Sequence, residues 1–295
     1  MSTTRDRLAR AGLFAKKQLG QHFLLDPAVT RKVAAVAAPL EGRVILEIGP
    51  GPGGLTEALL DAGAAQVIAI ERDPRFQPLL QELASAYPGR LEIVEADAMR
   101  VNEAALLAER GVAEAGIAAN LPYNIGTALL IKWLKAPSPW RGPMSLMFQK
   151  EVAQRIAAQP GEAAYGRLAV LAQSVTRPRL CLTLPAGAFT PPPKVASAVV
   201  RLDPSPDPFP DLAALEAVTA AAFGQRRKML RSALKPLGCA EALIAAASLE
   251  GSARAEELSV ADFQRLALAW RRSAQRQSEP RAKDEHADQP QQEHP

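Results

Sequence analysis

The stretch Arg43-Val-Ile-Leu-Glu-Ile-Gly-Pro-Gly-Pro-Gly-Gly-Leu-Thr56 changes character at its midpoint. Arg43 to Ile48 has the pattern of a buried strand. The glycines after it let the chain turn sharply and approach a ligand with no Cβ in the way. Thr56, with Leu55, Leu59 and Leu60 at helical spacing, then opens a helix. Gly49, Gly51 and Gly54 satisfy G-x-G-x-x-G, so strand, turn and helix predict the nucleoside-binding corner of an α/β sheet, with Gly49 and Gly51 facing the ligand. The glycine pattern alone fits a dinucleotide equally well.

The surrounding acids narrow the ligand. A second strand, Gln66-Val-Ile-Ala-Ile-Glu71, ends in an acid 20 residues after Gly51, where a carboxylate meets ribose hydroxyls. Leu91-Glu-Ile-Val-Glu-Ala-Asp97 ends a third strand in another acid, able to accept a hydrogen bond from an adenine amino group. No Gly-Lys-Ser/Thr follows the glycines, and the first helical turn has no basic residue. Together with Glu47, this acidic, hydroxyl-seeking site suits the cationic sulfonium of S-adenosylmethionine better than a pyrophosphate.

Asn120-Leu-Pro-Tyr123 closes a fourth strand. The lone pair of an adenine N6 is delocalised into the ring, so this nitrogen is a poor nucleophile until acceptors hold its N–H bonds and favour sp³ character. The Asn120 side-chain oxygen and the Leu121 carbonyl are the candidate acceptors. Tyr123 offers a stacking face worth about 1 to 3 kcal/mol per base, and Pro122 stiffens the turn. Methyl transfer by in-line displacement gains most from alignment, roughly 7 to 11 kcal/mol. Asn and Pro also favour plain turns, so the motif draws its meaning from its place in the sheet.

Five segments resemble the bacterial small-subunit (16S) ribosomal RNA adenine N6-dimethyltransferases, the KsgA/RsmA family. They are Lys16-Lys-Gln-Leu-Gly-Gln-His-Phe-Leu24, Glu47 to Thr56, Asn120 to Ile125, Phe189-Thr-Pro-Pro-Pro-Lys-Val-Ala-Ser-Ala-Val-Val200 and Phe223-Gly-Gln-Arg-Arg-Lys-Met-Leu-Arg231. The resemblance is collinear from about Lys16 to Trp270. It implies a Rossmann-like class I methyltransferase, a doubly wound seven-stranded sheet with a small C-terminal all-α domain. The implied reaction is dimethylation of two adjacent adenosines in the terminal hairpin loop of small-subunit rRNA, within the nearly assembled 30S particle. It places His22, Leu24, Gly49, Glu71, Asp97 and Asn120 around S-adenosylmethionine, and Phe189 across the target base from Tyr123, a pinch that needs no base-specific hydrogen bonds. His22 stands where many relatives carry Asn. A hairpin loop suits such a site, because an unpaired base costs least to flip.

Composition sets outer limits. A chain of 295 residues, 48% apolar, can bury one large core and a smaller one. Cys181 and Cys239 have neither metal-ligand nor redox spacing, so they are expected as small buried hydrophobes in a reducing compartment, with no metal. With neither an apolar run of 18 residues nor a signal-peptide core, the expectation is a soluble, cytoplasmic, monomeric protein that does not engage a membrane.

The net charge of +4 is unevenly spread. Residues 1–22 hold five basic side chains, including Lys16 and Lys17, against one acid. Arg226, Arg227, Lys228, Arg231 and Lys235 fall in a stretch with no acid. In one helical register Met229, Leu230, Ala233, Leu234 and Leu237 form a buried stripe, leaving Arg227, Arg231 and Lys235 on another face. Most charge runs are solvated faces. Beside a nucleic-acid substrate this one predicts a phosphate track that sets position and affinity; Lys16 and Lys17 are further RNA-binding candidates, and Lys194 either touches a phosphate or is simply solvated.

Asp203-Pro-Ser-Pro-Asp-Pro-Phe-Pro210 places proline at every second residue, which predicts an extended linker. The expected organisation is a basic N-terminal arm (1–15), a catalytic domain (16–202) whose last strand is Val195 to Leu202, the linker (203–210), a helical RNA-binding domain (211–270) and a disordered tail (271–295). The final helix is expected to be capped at Ser259, with Asp262 three residues on. Three other functions share parts of this pattern. They are a resistance-type dimethylase of large-subunit (23S) rRNA, an assembly factor that keeps the RNA surface without the chemistry, and a nicotinamide oxidoreductase. The last leaves Asn120 to Tyr123 unexplained.

Overall fold

The computed structural model describes residues 3–15, 20–136, 139–225 and 227–278. Its strands are β1 (Phe23–Leu24), β2 (Val44–Ile48), β3 (Gln66–Glu71), β4 (Leu91–Glu95), β5 (Ala115–Asn120), β6 (Arg141–Gln149), β7 (Thr176–Leu184), β8 (Phe189–Thr190) and β9 (Ser197–Pro204). Helices α1 (Thr4–Arg10), α2 (Pro27–Val36), α3 (Gly54–Asp61), α4 (Gln77–Ala86), α5 (Glu103–Ala108), α6 (Gly126–Lys135), α7 (Lys150–Ala157) and α8 (Arg167–Val175) alternate with them. Four more follow: α9 (Leu212–Gly224), α10 (Leu230–Ala233), α11 (Ala240–Ala246) and α12 (Val260–Ser278).

Seven strands form one sheet in the order β4-β3-β2-β5-β6-β9-β7. β9 runs antiparallel to both neighbours, and the remaining pairs are parallel. β2 and β3 are buried on both faces, as central parallel strands must be. Leu46, Ile68 and Ile117 pack towards Leu129, Leu130 and Trp133 of α6, while Ile45, Val67 and Ala69 pack towards α2 and α3. The strand order reverses between β2 and β5, which is where open α/β sheets bind ligands, beyond the carboxyl ends of their strands.

A further core joins Val170 and Leu171 of α8 to Leu215, Val218, Phe263 and Leu266 of the C-terminal helices. The break expected at 203–210 therefore divides the chain but not the packing. Pro204 still belongs to β9, the Ser205 and Phe209 amides donate to the Val175 and Ser174 carbonyls, and the Tyr165 hydroxyl donates to the Leu258 carbonyl at 3.0 Å.

Four expectations need correction. The N-terminal arm is a docked helix: Arg7, 4% exposed, pairs with Glu57 of α3 at 2.6 Å, and Arg10 pairs with Glu82 of α4 at 3.0 Å. Both cysteines are exposed rather than packed, Cys181 on the edge strand β7 and Cys239 at the start of α11. The basic run is no single helix, because α10 has four residues and Met229 is 41% exposed, bridged to Arg254. α12 continues past Trp270 to Ser278, with Arg271 bonded to Asp211, and the rest of the expected disordered tail lies outside the described residues. The cap of α12 follows expectation, with Ser259 and Asp262 exchanging hydrogen bonds.

Candidate active site

β2 leads into a turn in which Gly49, Gly51 and Gly53 all take positive φ, at 66°, 54° and 86°, a region that disfavours any side chain. A Cβ on Gly49 would meet nothing closer than Pro122 at 3.9 Å, so its surroundings are open to a ligand. Gly54 serves the chain instead. A Cβ there would stand 2.6 Å from the Leu24 carbonyl oxygen, because residues 20–24 cross this corner. That segment also runs past the fourth-strand motif, with Gly20 against Asn124 and the His22 ring stacked on Tyr123 at 5.4 Å.

The acids at the strand ends are held in place. Glu71 is 6% exposed, and its two oxygens accept from the Gly51 amide at 3.0 Å and the Asp73 amide at 2.7 Å. Burial raises its pKa against the pull of those amides. Gly51 thus orients Glu71 while lining the cavity. Asp97 lies just beyond β4, its Oδ1 accepting from the Met99 amide and its Oδ2 from Arg72. The Met99 amide chiefly, and Arg72 with it, hold its pKa below the usual carboxylate range, so it is a ready acceptor. Glu47 is 1% exposed, its Oε2 has no partner among the described residues, and burial pushes its pKa to about 8.

Asn120 donates from Nδ2 to the His22 carbonyl at 2.8 Å. That bond fixes the amide, and no described residue donates to Oδ1. The turn after it is closed by the Ile125 and Gly126 amides on the Pro122 carbonyl, and Leu121 buries its side chain to 1% exposure. The Tyr123 hydroxyl bonds Ser197 Oγ on β9, so the ring is pinned at its far end. His22 Nδ1 donates to the Pro191 carbonyl at 2.8 Å, since a carbonyl only accepts.

One cavity is lined by residues 20–24, 47–52, 70–73, 96–98 and 120–125, among others. It brings together His22, Leu24, Gly49, Gly51, Glu71, Asp97, Asn120, Leu121 and Tyr123. Phe189 is not among them. It is 3% exposed, paired with Leu24 through the β1–β8 ladder and packed with Val33, Leu184 and Val199, and it is His22 that lies against Tyr123. Lys194, Arg227, Lys228 and Arg231 are all exposed. Lys16, Lys17 and Arg226 lie outside the described residues.

Sequence reading missed Asp73, Gln21 and Ser197. Asp73 takes bonds from Arg75 and from Gln21, is held at a pKa of about 2 chiefly by Arg75, and ties residues 20–24 to the end of β3. Its position two residues after Glu71 was the available signal. Ser197 gave none, since its partner is 74 residues away.

The cavity fits S-adenosylmethionine on its own terms: a glycine cradle without Cβ atoms, an acid at the end of β3, and a buried carboxyl, Glu47, with one oxygen left unpartnered among the described residues. Comparison with known proteins agrees. The family described as "Ribosomal RNA adenine dimethylase" matches residues 12–271. The chain is 57% identical over 288 residues to "Ribosomal RNA small subunit methyltransferase A" of Phenylobacterium zucineum (strain HLK1), covering 96% of this chain and 98% of that one. The protein of the same name from Chelativorans sp. (strain BNC1) is 54% identical, with 89% and 96% covered. Among solved structures, a dimethyladenosine transferase from Plasmodium falciparum superposes with a TM-score of 0.71 at 25% identity, covering 86% of this chain and 98% of that one. The 23S rRNA methyltransferase ErmE gives 0.64 at 26% identity, covering 84% and 99%.

Proposed function

Because the chain belongs to the ribosomal RNA adenine dimethylase family, we propose that it dimethylates N6 of two adjacent adenosines in the 3'-terminal hairpin loop of 16S rRNA. It does so with S-adenosylmethionine, on the assembling 30S particle, as a monomer in the cytoplasm. The substrate follows the relatives named for the small subunit, 57% and 54% identical against 26% for the large-subunit enzyme. Among the described residues no helix is long and apolar enough to cross a membrane.

The observation that carries the reading is the fixed amide of Asn120. With Nδ2 spent on the His22 carbonyl, Oδ1 is the acceptor presented to an incoming amino group. An N6 hydrogen bond to it draws the nitrogen towards sp³ geometry and returns its lone pair. Tyr123, held by Ser197, supplies the platform for the base. Glu71 would hold the ribose hydroxyls and Asp97 the adenine amino group of the cofactor. When bound, S-adenosylmethionine supplies an electrophilic methyl group. No side chain need act as a general base, since the alkylated nitrogen is acidic enough to lose its proton to water. The second methylation asks that the same nitrogen return with one hydrogen fewer, so Asn120 must hold it through a single remaining N–H.

Asn120→Ala tests this. Loss of the acceptor is expected to lower the single-turnover rate on the order of 100-fold, the scale of removing one preorganised polar contact to a transition state. Particle binding should persist. A variant that methylates at the parent rate contradicts the assignment.

A further inference from the structure

Lys132 stands outside the cavity, yet its ammonium is fully engaged. Nζ donates to the Ala98 carbonyl at 2.7 Å, the Val101 carbonyl at 2.6 Å and Glu103 Oε1 at 2.7 Å. An ammonium has three N–H bonds, and all three acceptors lie on the turn and helix start that follow Asp97.

That turn is shaped from within. The Asp97 carbonyl accepts from the Arg100 and Val101 amides, and its side chain from Met99. Such bonds set the curve of the turn without fixing where it sits. The last strand-type bond before it is the Ala96 amide on the Glu71 carbonyl. The Arg72–Asp97 bridge involves an arginine that is 65% exposed, a kind of pair worth little. Beneath the turn, Ala98 is buried in the main core with Val101 packed against it, and Lys132 is the polar anchor that joins the turn to α6. Glu103, which is 3% exposed, is shared between Lys132 and the Trp133 indole N–H at 2.8 Å. Helix α6 starts at Gly126, immediately after the Asn120 to Ile125 motif. One helix therefore begins directly after the Asn120 to Ile125 motif and, near its other end, grips the turn that carries Asp97.

We propose that Lys132 is a positioning residue that registers the Asp97 turn, and so the adenine end of S-adenosylmethionine, to the helix that follows the Asn120 motif. The proposal rests on the cavity being the S-adenosylmethionine site. It concerns a residue that touches neither cofactor nor substrate.

Calorimetric titration of the full-length protein with S-adenosylhomocysteine reads the effect directly. Lys132→Met alone would strand a buried carboxylate, so the main variant is Lys132→Met combined with Glu103→Gln. Its Kd is expected to rise about tenfold, a coupling of ordinary size for residues in one network. Glu103→Gln alone keeps both carbonyl bonds and should stay near the parent value. In an Asp97→Ala background the Lys132 and Glu103 pair of substitutions should cost much less, because its effect passes through that turn; a merely structural residue would cost the same in both backgrounds. Should the double variant fail to fold, Lys132→Arg keeps the cation beside Glu103, but its planar fork cannot serve two carbonyls converging on one nitrogen. It should bind more weakly with an unchanged melting temperature. Parental affinity in these Lys132 variants, or an undiminished loss in the Asp97→Ala background, overturns the proposal. A parent protein that does not bind S-adenosylhomocysteine overturns the cofactor assignment beneath it.

Discussion

Glu47 carries a proton at neutral pH that an ordinary glutamate would have lost. Desolvation is the main cause and the neighbouring Glu71 charge adds to it, while the Thr56 hydroxyl pulls the other way, leaving a pKa of about 8 against the usual 4.5. Below the usual value both folded and unfolded chains are protonated. As pH rises through the window between the two values, the unfolded chain ionises first, so this group's contribution to stability is lost and the loss is complete above the folded value. Glu47→Gln should therefore change stability little near pH 4.5 and raise it progressively towards pH 8, as followed by urea denaturation at several pH values; a pH-independent difference contradicts the account. A sulfonium placed beside Glu47, which lines the cavity, would favour its ionised form, so S-adenosylmethionine binding at pH 7 should release a proton, detectable by calorimetry in buffers of different ionisation enthalpy. Loss of that release in Glu47→Gln identifies the group, and its persistence there points to another. The places of Glu71 and Asp97 in the cavity wall were legible because an acid at a strand's carboxyl end has few structural reasons to be there. The raised pKa of Glu47 was not, because it depends on which atoms surround the carboxyl in three dimensions.

Residues 20–24 show why elements were harder to read than residues. β1 and β8 have two residues each, too short for any period to show in sequence. Their pairing is nevertheless what buries Phe189 and brings the segment across Gly54. The resemblance places Phe189 across the target base from Tyr123; the ladder with Leu24 makes it core. The basic run from Arg226 to Lys235 misled for a related reason. Its apolar spacing fits a helix, but the bridge between Met229 and Arg254 interrupts the register from a distance. Gly54→Ala probes the crossing. With the Leu24 carbonyl oxygen 2.6 Å from the new Cβ, backbone must yield, at a cost of about 1 to 3 kcal/mol typical of overpacking. Chemical denaturation should show that loss together with weaker S-adenosylhomocysteine binding, since His22 and Leu24 would shift. Unchanged stability would mean that the segment does not lie against α3.

Over the whole molecule, the strands that carry the cavity were legible as apolar runs of strand length and the C-terminal helices from their Ala and Leu spacing, whereas the strand order came only with the structure. The way the two parts merge was not legible, because α8 supplies side chains to the second core from a position in sequence before the proline segment. Charge divides in the same way. Arg7 and Arg10 count towards the net charge of +4 but are consumed in ion pairs within the fold, while Arg227 and Arg231 remain on the surface. Reversing both to Glu should weaken particle binding and reduce its salt dependence by about one logarithmic unit of slope for each phosphate no longer neutralised. An unchanged slope would place the RNA elsewhere. The most direct test of the whole account is mass spectrometry of nucleosides from undermethylated small and large ribosomal particles, each incubated with the protein and S-adenosylmethionine. Dimethyladenosine confined to the 3'-terminal hairpin of the small-subunit RNA is the predicted result; modification of the large subunit, or none despite binding, contradicts it.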